Sequence, residues 1–414
     1  MSERVNGKEQ RRDLLEGAFA AAVAACKRPE TIIDALPPRP KGRVIVIAAG
    51  KGAVPMAQAV EAHWPDVTGI AVTRTLYGGT LKSIELVEAS HPVPDDAGLR
   101  AAERCLALAE SAGEDDLVLV LLSGGASALL AAPASPLSLT DKQQVTRALV
   151  KSGASIDEIN CVRRHLSRIK GGRLAAAAYP AEVVTLAVSD VVGDSPMDIG
   201  SGPTVADPTT IEDAKAVLTR YGIADPGGWT ESIKPGDPSI ARNSFAVVVR
   251  PADALKAAGE YLAARGYEPT IIEAEATGEA RLVARRHAEE AMRAHTKGKK
   301  AALLSGGELT VTVTGRGSGG PNQEYALAFA QEIAGQPGIA VLAADTDGVD
   351  GNRDVAGAYV DGETTYELAE ETIDVLDALD RNDAGGALGE IGALFVPGPT
   401  HTNVNDLRII LIEP

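Results

Sequence analysis

A lysine stands between two glycines at Gly50-Lys51-Gly52-Ala53, directly after the apolar run Val44 to Ala49 and just ahead of Pro55. Small residues there let a ligand approach backbone N–H groups at the start of a helix, and Lys51 adds a mobile positive charge, so the segment suits a phosphate or a carboxylate. It is not the Walker phosphate loop, because Ile45 and Gly52 stand where that motif needs Gly and Ser or Thr. Nor is it G-x-G-x-x-G, whose third glycine is replaced by Pro55. A plain tight turn is the competing reading. Ser123-Gly124-Gly125-Ala126-Ser127 follows Leu117 to Leu122 in the same manner, offering hydroxyls and successive N–H groups to an oxyanion. A nucleophilic serine is disfavoured, since G-x-S-x-G would need Gly in place of Leu129. The alternative is a glycine turn with Ser127 opening a helix.

Positive charge is concentrated from Cys161 to Arg173, where Arg163, Arg164, Arg168, Lys170 and Arg173 occur without an acid. Helical spacing would put Arg164 and Arg168 on one face, and the run reads either as an anion clamp or as a solvated basic face. His165 reads as a packed or surface histidine. Asp190 follows the run Val183 to Ser189, at the kind of strand end where general bases and metal carboxylates stand. Asp194, Asp198 and the Gly200-Ser201-Gly202 turn could complete a rim, or simply cap turns of a loop. Ser305-Gly306-Gly307-Glu308 repeats the earlier glycine word and leads into the loop Gly315-Arg316-Gly317-Ser318-Gly319-Gly320, ahead of Pro321 and Asn322. Such a loop can fold over phosphates or form a floppy hairpin tip. In Asp345-Thr346-Asp347-Gly348-Val349-Asp350-Gly351, Val349 and Asp350 break a calcium-loop spacing, while Mg2+ held with a nucleotide stays possible. No H-E-x-x-H occurs among the six histidines, which speaks against catalytic zinc.

The elements that would position these residues are short aliphatic runs at 44 to 49, 117 to 122, 183 to 189, 245 to 249, 301 to 304 and 339 to 344, each bounded by glycine and followed by an Ala-rich stretch. Continuous apolar runs are what strands buried on both faces look like, and their alternation with helices predicts parallel α/β sheets that bind ligands beyond their carboxyl ends. The Gly- and Pro-rich stretch 222 to 239 is the expected boundary between two series of strands. LLSGG at 121 to 125 and at 303 to 307 suggests two α/β domains, each with a strand-end glycine turn, facing one another across a cleft; chance recurrence is the other explanation. LTVTVT reads as a hairpin.

The 414 residues, 45% of them hydrophobic and 23% charged, are an ordinary globular composition long enough for two or three domains. With 2 Trp, 8 Tyr and 4 Phe the core must be aliphatic, and stacking platforms are excluded. A net charge of −17 repels nucleic acid and anionic membranes, so an anionic ligand needs a local basic patch. Three cysteines in no C-x-x-C spacing argue against disulfides and structural zinc. No apolar run approaches the roughly 18 residues of a membrane span, and the charged opening MSERVNGKEQRRD is unlike a signal peptide, so a cytoplasmic location is expected.

Eight collinear segments resemble the glycerate 2-kinase family, whose C-terminal half is the MOFRL domain and whose members are sometimes labelled hydroxypyruvate reductase. They are AAGKGAVPMA (48 to 57), SHPVPD (90 to 95), LLSGGASALL (121 to 130), INCVRRHLSRIKGGRLA (159 to 175), SDVVGDSPMDIGSGPT (189 to 204), LLSGGELTVTVTGRGSGGPNQE (303 to 324), DTDGVDG (345 to 351) and TNVNDL (402 to 407). The resemblance implies two Rossmann-like α/β domains with mainly parallel sheets around a deep cleft, assigned to residues 1–240 and 241–414. It implies that ATP and Mg2+ are used to phosphorylate D-glycerate on its 2-hydroxyl, giving 2-phosphoglycerate and ADP, and that Lys51 matches the lysine proposed to be catalytic. Some members carry Arg where Pro321 stands, so Arg316 or an arginine of the 163–173 run is expected to supply that charge.

The expected catalytic set is therefore Lys51, Asp190 and Arg316, and the expected substrate or phosphate set is Gly50, Gly52, Ser123, Gly124, Gly125, Ser127, Arg164, Arg168 and Lys170. Nucleotide contacts are expected from Ser305, Gly306, Gly307, Glu308, Gly319, Gly320 and Asn322, and metal ligation from Asp345 and Asp347. A small-molecule substrate, no nucleic-acid or membrane partner, and a monomer or homodimer complete the expectation. The rival functions are an NAD(P)H-dependent hydroxypyruvate reductase and a non-catalytic sugar-acid sensor.

Overall fold

The structure is a computed structural model that describes residues 2–351 and 354–414, with the side chains of residues 2–6 left aside. It divides into two compact units, residues 27–249 and residues 1–26 with 250–414. The division falls at Val249 and Arg250, and the stretch 222 to 239 is no linker. That stretch folds back within the first unit: Thr230 N–H donates to His165 O, Ile233 N–H to Gly171 O, and an Arg173 N–H to Thr230 O.

The first unit is built on β1 (Val44–Ala49), β2 (Thr68–Arg74), β3 (Ile84–Ala89), β4 (Leu117–Leu122), β5 (Glu182–Val188) and β6 (Asn243–Val249). All neighbours pair parallel, in the order β3-β2-β1-β4-β5-β6 of a dinucleotide-binding fold. Every residue of β1 and β4 is buried, because helices cover both faces of a parallel sheet, and this is why both read as unbroken aliphatic runs. Each Val, Leu or Ile side chain among them contributes roughly 1.5–3 kcal/mol of burial. The order of strands reverses between β1 and β4, so their carboxyl ends form the switch point where this fold takes its ligand.

The second unit carries β7 (Glu268–Glu279), β8 (Ala301–Thr310), β9 (Ile339–Asp345), β10 (Gly357–Asp361), β11 (Leu394–Phe395) and β12 (Asp406–Ile412), in the order β11-β10-β9-β12-β8-β7. This sheet is mixed. Only β7 and β8 run parallel, and the other four pairs are antiparallel, so the expected parallel pairing holds throughout the first sheet and at one pair of the second. The N-terminal helix Ser2–Ala25 belongs to this unit. Leu15, Ala18, Phe19, Ala22 and Val23 form its buried stripe at helical spacing, and Phe19 meets Phe395 edge to face at 4.9 Å between centroids.

Two local expectations change. LTVTVT is no hairpin: β8 ends at Thr310, and residues 311–320 run as a loop into the helix Pro321–Glu332. Ser305, Gly306 and Gly307 do not end a strand either, since β8 continues through them. The glycines there admit the neighbouring strand. A Cβ on Gly306 would come within 2.6 Å of Ala274 O, and one on Gly307, at φ 87°, would overlap the backbone of Ala276 where β7 shifts register. Gly307→Ala is expected to lower unfolding free energy by about 2 kcal/mol or more. Gly278→Ala has similar φ strain (105°) but open space around it, and should cost about 1 kcal/mol. Urea midpoints compare the two.

Candidate active site

The switch point brings two glycine turns into contact. Gly50 has φ 125°, and a Cβ on it would overlap the Ser123 hydroxyl and carbonyl; only glycine lets the β1 turn lie so close to the β4 turn. The contact is then tied by hydrogen bonds. Lys51 N–H donates to Gly124 O at 2.9 Å, Gly52 N–H to Ser123 Oγ at 2.8 Å, and Thr73 Oγ1 to Gly50 O at 3.0 Å. Lys51 is buried. Gly125, at φ 87°, leaves a hollow that its own Cβ would fill, with His91 Cδ2 and Nε2 at 3.1 and 3.2 Å and Lys51 Cε at 3.7 Å from that position.

His91, inside SHPVPD, therefore stands beside Lys51. Burial, then the charges of Lys51 and Arg74, push its imidazole down to about 3, so it is neutral at physiological pH and can accept a hydrogen bond. No feature of the sequence alone announced this neighbour.

The expected substrate residues beyond the turns separate into two kinds. Ser127 and Lys170 meet: Lys170 Nζ donates to Ser127 O at 2.7 Å, to Ser127 Oγ at 3.0 Å and to Gly200 O at 3.3 Å. The Ser127 hydroxyl lies 2.8 Å from that of Ser201, which donates to Asn160 Oδ1 at 3.2 Å. Arg164 and Arg168 instead hold the fold. Buried Arg164 is neutralised by Asp207 (Nε–Oδ2 2.9 Å) and Asp198 (3.7 Å). The helix Ile156–His165 ends before Arg168, so the two arginines do not share a helical face; Arg168 is exposed and bonds Glu103 and Pro133 O. The run is not a solvated face either, because His165 and Lys170 are also buried. His165 is packed, its Nδ1 2.9 Å from Cys161 O and its Nε2 3.0 Å from Glu231. Asp190 lies two residues past β5, half-buried.

In the second unit, Gly320 precedes the helix Pro321–Glu332, and the first N–H groups of that helix are already used. Asn322 and Gln323 N–H donate to the two Asp350 oxygens at 3.0 and 2.9 Å, and Gln323 Nε2 adds a third bond at 2.9 Å. Asn322 Nδ2 donates to Asp406 Oδ1 at 2.6 Å; Asp406 pairs with fully buried Arg408, whose guanidinium also donates to Gly306 O at 2.9 Å. Asp350, Asp406 and Arg408 were not foreseen as a unit. Burial pushes the Asp350 carboxyl up to about 7 and raises that of Asp406 against the Arg408 charge. The expected nucleotide residues thus sit differently. Ser305, Gly306 and Gly307 are enclosed in β8, Glu308 faces outward beside them, and Gly319, Gly320 and Asn322 lie at the loop end against Asp350. Arg316 is exposed in the same loop.

Asp345 ends β9 and Asp347 lies in the turn behind it, where Asp345 Oδ1 accepts from Asp347 N–H (2.9 Å) and Asp347 Oδ1 from Val349 N–H (2.7 Å). Among the described residues no group of three or more His, Cys, Asp or Glu side chains is arranged for a metal. Two hard carboxylates still match the donor chemistry of Mg2+, which commonly takes one or two protein carboxylates and completes its shell with water and phosphate.

Known proteins resemble this chain over most of its length. The family model described as Domain of unknown function (DUF4147) matches residues 14–231, and that described as MOFRL family matches residues 301–406. A protein of Agrobacterium vitis provisionally named hydroxypyruvate reductase is 45% identical over 413 residues, 97% of this chain and 94% of its own length. The glycerate 2-kinase of Pyrococcus horikoshii is 40% identical over 388 residues, 90% of this chain and 88% of its own. The crystal structure of glycerate kinase from Thermotoga maritima superposes with a TM-score of 0.85 at 37% identity, covering 98% of this chain and all of that one. No described helix is long and apolar enough to cross a membrane.

The half-buried imidazole sets a pH test. His91 has a folded pKa below its unfolded value of 6.5, so its contribution to stability is full above pH 6.5 and is lost as pH falls toward 3. Relative to His91→Gln, the wild type should lose on the order of 2–3 kcal/mol by pH 4.5 and nothing between pH 7 and 8. Urea unfolding of both proteins at pH 4.5, 6 and 7.5 measures the gap.

Proposed function

The chain belongs to the glycerate 2-kinase family, and from that premise we propose that it transfers the terminal phosphoryl group of ATP to the 2-hydroxyl of D-glycerate, giving 2-phosphoglycerate and ADP. The observation that carries the reading is the meeting of Lys51, His91, Ser123 and Gly125 at the carboxyl ends of β1 and β4. Phosphoryl transfer asks a protein for positioning and charge neutralisation rather than for a covalent nucleophile. Lys51 supplies the charge, and the free edge of the SGG turn supplies small residues around it. The glycerate 2-hydroxyl oxygen bonds the terminal phosphorus, the bond from that phosphorus to the ADP oxygen breaks, and Asp190 takes the hydroxyl proton. Lys170 and Ser127 offer donors to the acid substrate, and the loop Gly319 to Asn322 offers contacts to the nucleotide.

Asp345 and Asp347 would hold Mg2+, which when bound supplies charge neutralisation on the phosphates. Arg316, exposed on its loop, is proposed for the charge that other family members draw from arginine at the position of Pro321. The enzyme is proposed to work in the cytoplasm as a monomer or homodimer.

Incubation with D-glycerate, ATP and Mg2+ is expected to release ADP and one phosphoglycerate, identified by phosphorus NMR as the 2-isomer. A relative at 45% identity carries the reductase name, so hydroxypyruvate with NADH is the parallel arm. NADH oxidation without ADP formation would replace the kinase reading. Lys51→Ala is expected to lower kcat about 100-fold or more, as loss of a preorganised charge does at other transition states. Arg316→Ala with undiminished turnover would move its role to the 163–173 run.

A further inference from the structure

Lys142 has no part in the site described so far, and its position is anomalous. It lies on the helix Leu139–Lys151 in register with Val145 and Leu149, the stripe that packs into an apolar cluster with Ile159, Val162 and Leu166. A lysine on such a stripe normally snorkels to water or meets a carboxylate. Lys142 does neither: its Nζ is sealed from solvent and has no hydrogen-bond partner among the described residues. The charged groups acting on it are Arg163 and Arg173, and those acting on Lys170 are Lys142 and Arg163, all of one sign. Burial, with the two guanidiniums, pushes the Lys142 ammonium down to about 7.

The neighbouring cations are not alike. Arg173 is occupied by the carbonyls of Arg164, Lys170 and Thr230, which makes it a strut of the fold. Arg163 is half-buried, and its Nη1 makes a 3.4 Å contact to Asn160 Oδ1. Lys170 reaches the Ser127 and Gly200 oxygens, and among the described residues no carboxylate pairs with Lys142, Arg163 or Lys170. An uncompensated buried cation is among the costliest features a core can hold, and a sequence keeps one where an anion will meet it.

We propose that Lys142, Arg163 and Lys170, with the Ser127 hydroxyl at their edge, form the subsite for the carboxylate of the small hydroxy acid on which the enzyme acts. This deepens the reading above and rests on it only for the identity of the acid. Arg163, the member of the group at the surface, marks the way in, and its side chain moves aside as the carboxylate replaces the missing counter-ion. The substrate role expected for Arg164 and Arg168 passes to Lys142 and Arg163, since the former pair already have protein partners.

The test combines thermal stability with kinetics for Lys142→Met, close to the original in volume and free of charge, and for Arg163→Met, whose half-exposed site tolerates the change. Lys142→Met is expected to melt at the same temperature as wild type or higher, because it removes a cost. A lysine serving only the fold would give the opposite. D-glycerate, but not glycerol, should stabilise wild type and neither variant, and both variants should raise KM for D-glycerate about tenfold or more with kcat within a few-fold. Equal KM and equal stabilisation in wild type and both variants would overturn the subsite, as would stabilisation by inorganic phosphate alone that depends on Lys142. If another small hydroxy carboxylate stabilises wild type in a Lys142-dependent way and D-glycerate does not, glycerate fails as the substrate and the subsite stands.

Discussion

The approach of the Gly50 turn to Ser123, with no room for one methyl group between them, is the constraint on which the first unit's chemistry depends. It follows from sheet order. β1 and β4 are neighbours at the point where the strand order reverses, so two turns leave adjacent strands in opposite lateral directions and open a hollow between them. Gly50 lets the turns touch, the Lys51 and Gly52 N–H groups lock them, and Lys51 is thereby fixed at the rim with His91. A lysine on a mobile loop would lose rotamer entropy at each binding event, on the order of 2 kcal/mol for a fully frozen side chain. Here much of that loss is already incurred in folding, because the backbone on both sides of Lys51 is hydrogen-bonded and its side chain is buried.

Charge follows the same economy. A chain of net charge −17 keeps several basic side chains out of water in one unit, and each is held differently: Arg164 by two carboxylates, Arg173 by three carbonyls, Lys170 by a hydroxyl and two carbonyls, Lys142 by no polar partner among the described residues. A buried ion pair roughly breaks even against desolvation, so Arg164 adds shape more than stability. An unpaired one does not break even. That gradation separates the residues that build the wall from those that face the ligand, and it cannot be seen in a list of basic residues.

Strands buried on both faces were legible in the sequence. The runs 44 to 49 and 117 to 122 coincide with β1 and β4, because a sandwiched strand leaves an unbroken aliphatic signature. β2 and β3 do not stand out as unbroken runs, since TGIAVTR and IELVEA dilute that signature with polar residues on strands nearer the sheet edge. Glycine turns, the basic run and Lys51 were legible for a chemical reason: their residue types are costly unless used. Lys142 and His91 were not, because a lysine among the polar residues of LTDKQQVTRALVK looks solvated and a lone histidine in a proline-rich loop looks like filler. The burial of Lys142 and the place of His91 beside Lys51 distinguish them, and both are properties of the tertiary structure.

The repeated word LLSGG shows how far a motif underdetermines its own conformation. At 121 to 125 the strand ends and the glycines turn; at 303 to 307 the strand continues, because β7 bulges against it and leaves no space for side chains at Gly306 and Gly307. Its carbonyl at Gly306 is then taken by Arg408, which pairs with Asp406, which accepts from Asn322 beside Asp350. Asp350 occupies the N–H groups at the start of the helix Pro321–Glu332, where a phosphate would otherwise be drawn. Its raised pKa shows burial outweighing the favourable helix end, so near neutral pH that carboxyl is poised between its two forms. The glycine loop ahead of the helix is likewise taken up by the fold: Gly315 N–H donates to Asn382 Oδ1 at 2.8 Å, Gly317 N–H to Arg381 O at 2.9 Å and Ser318 N–H to Asp383 Oδ1 at 3.0 Å. Four glycines stand among the six residues 315 to 320 because the loop presses on its neighbours: a Cβ on Gly315 would come within 2.0 Å of Arg381 O, one on Gly317 within 2.4 Å of Asp383 Cβ and one on Gly320 within 2.4 Å of Asp350 Cγ.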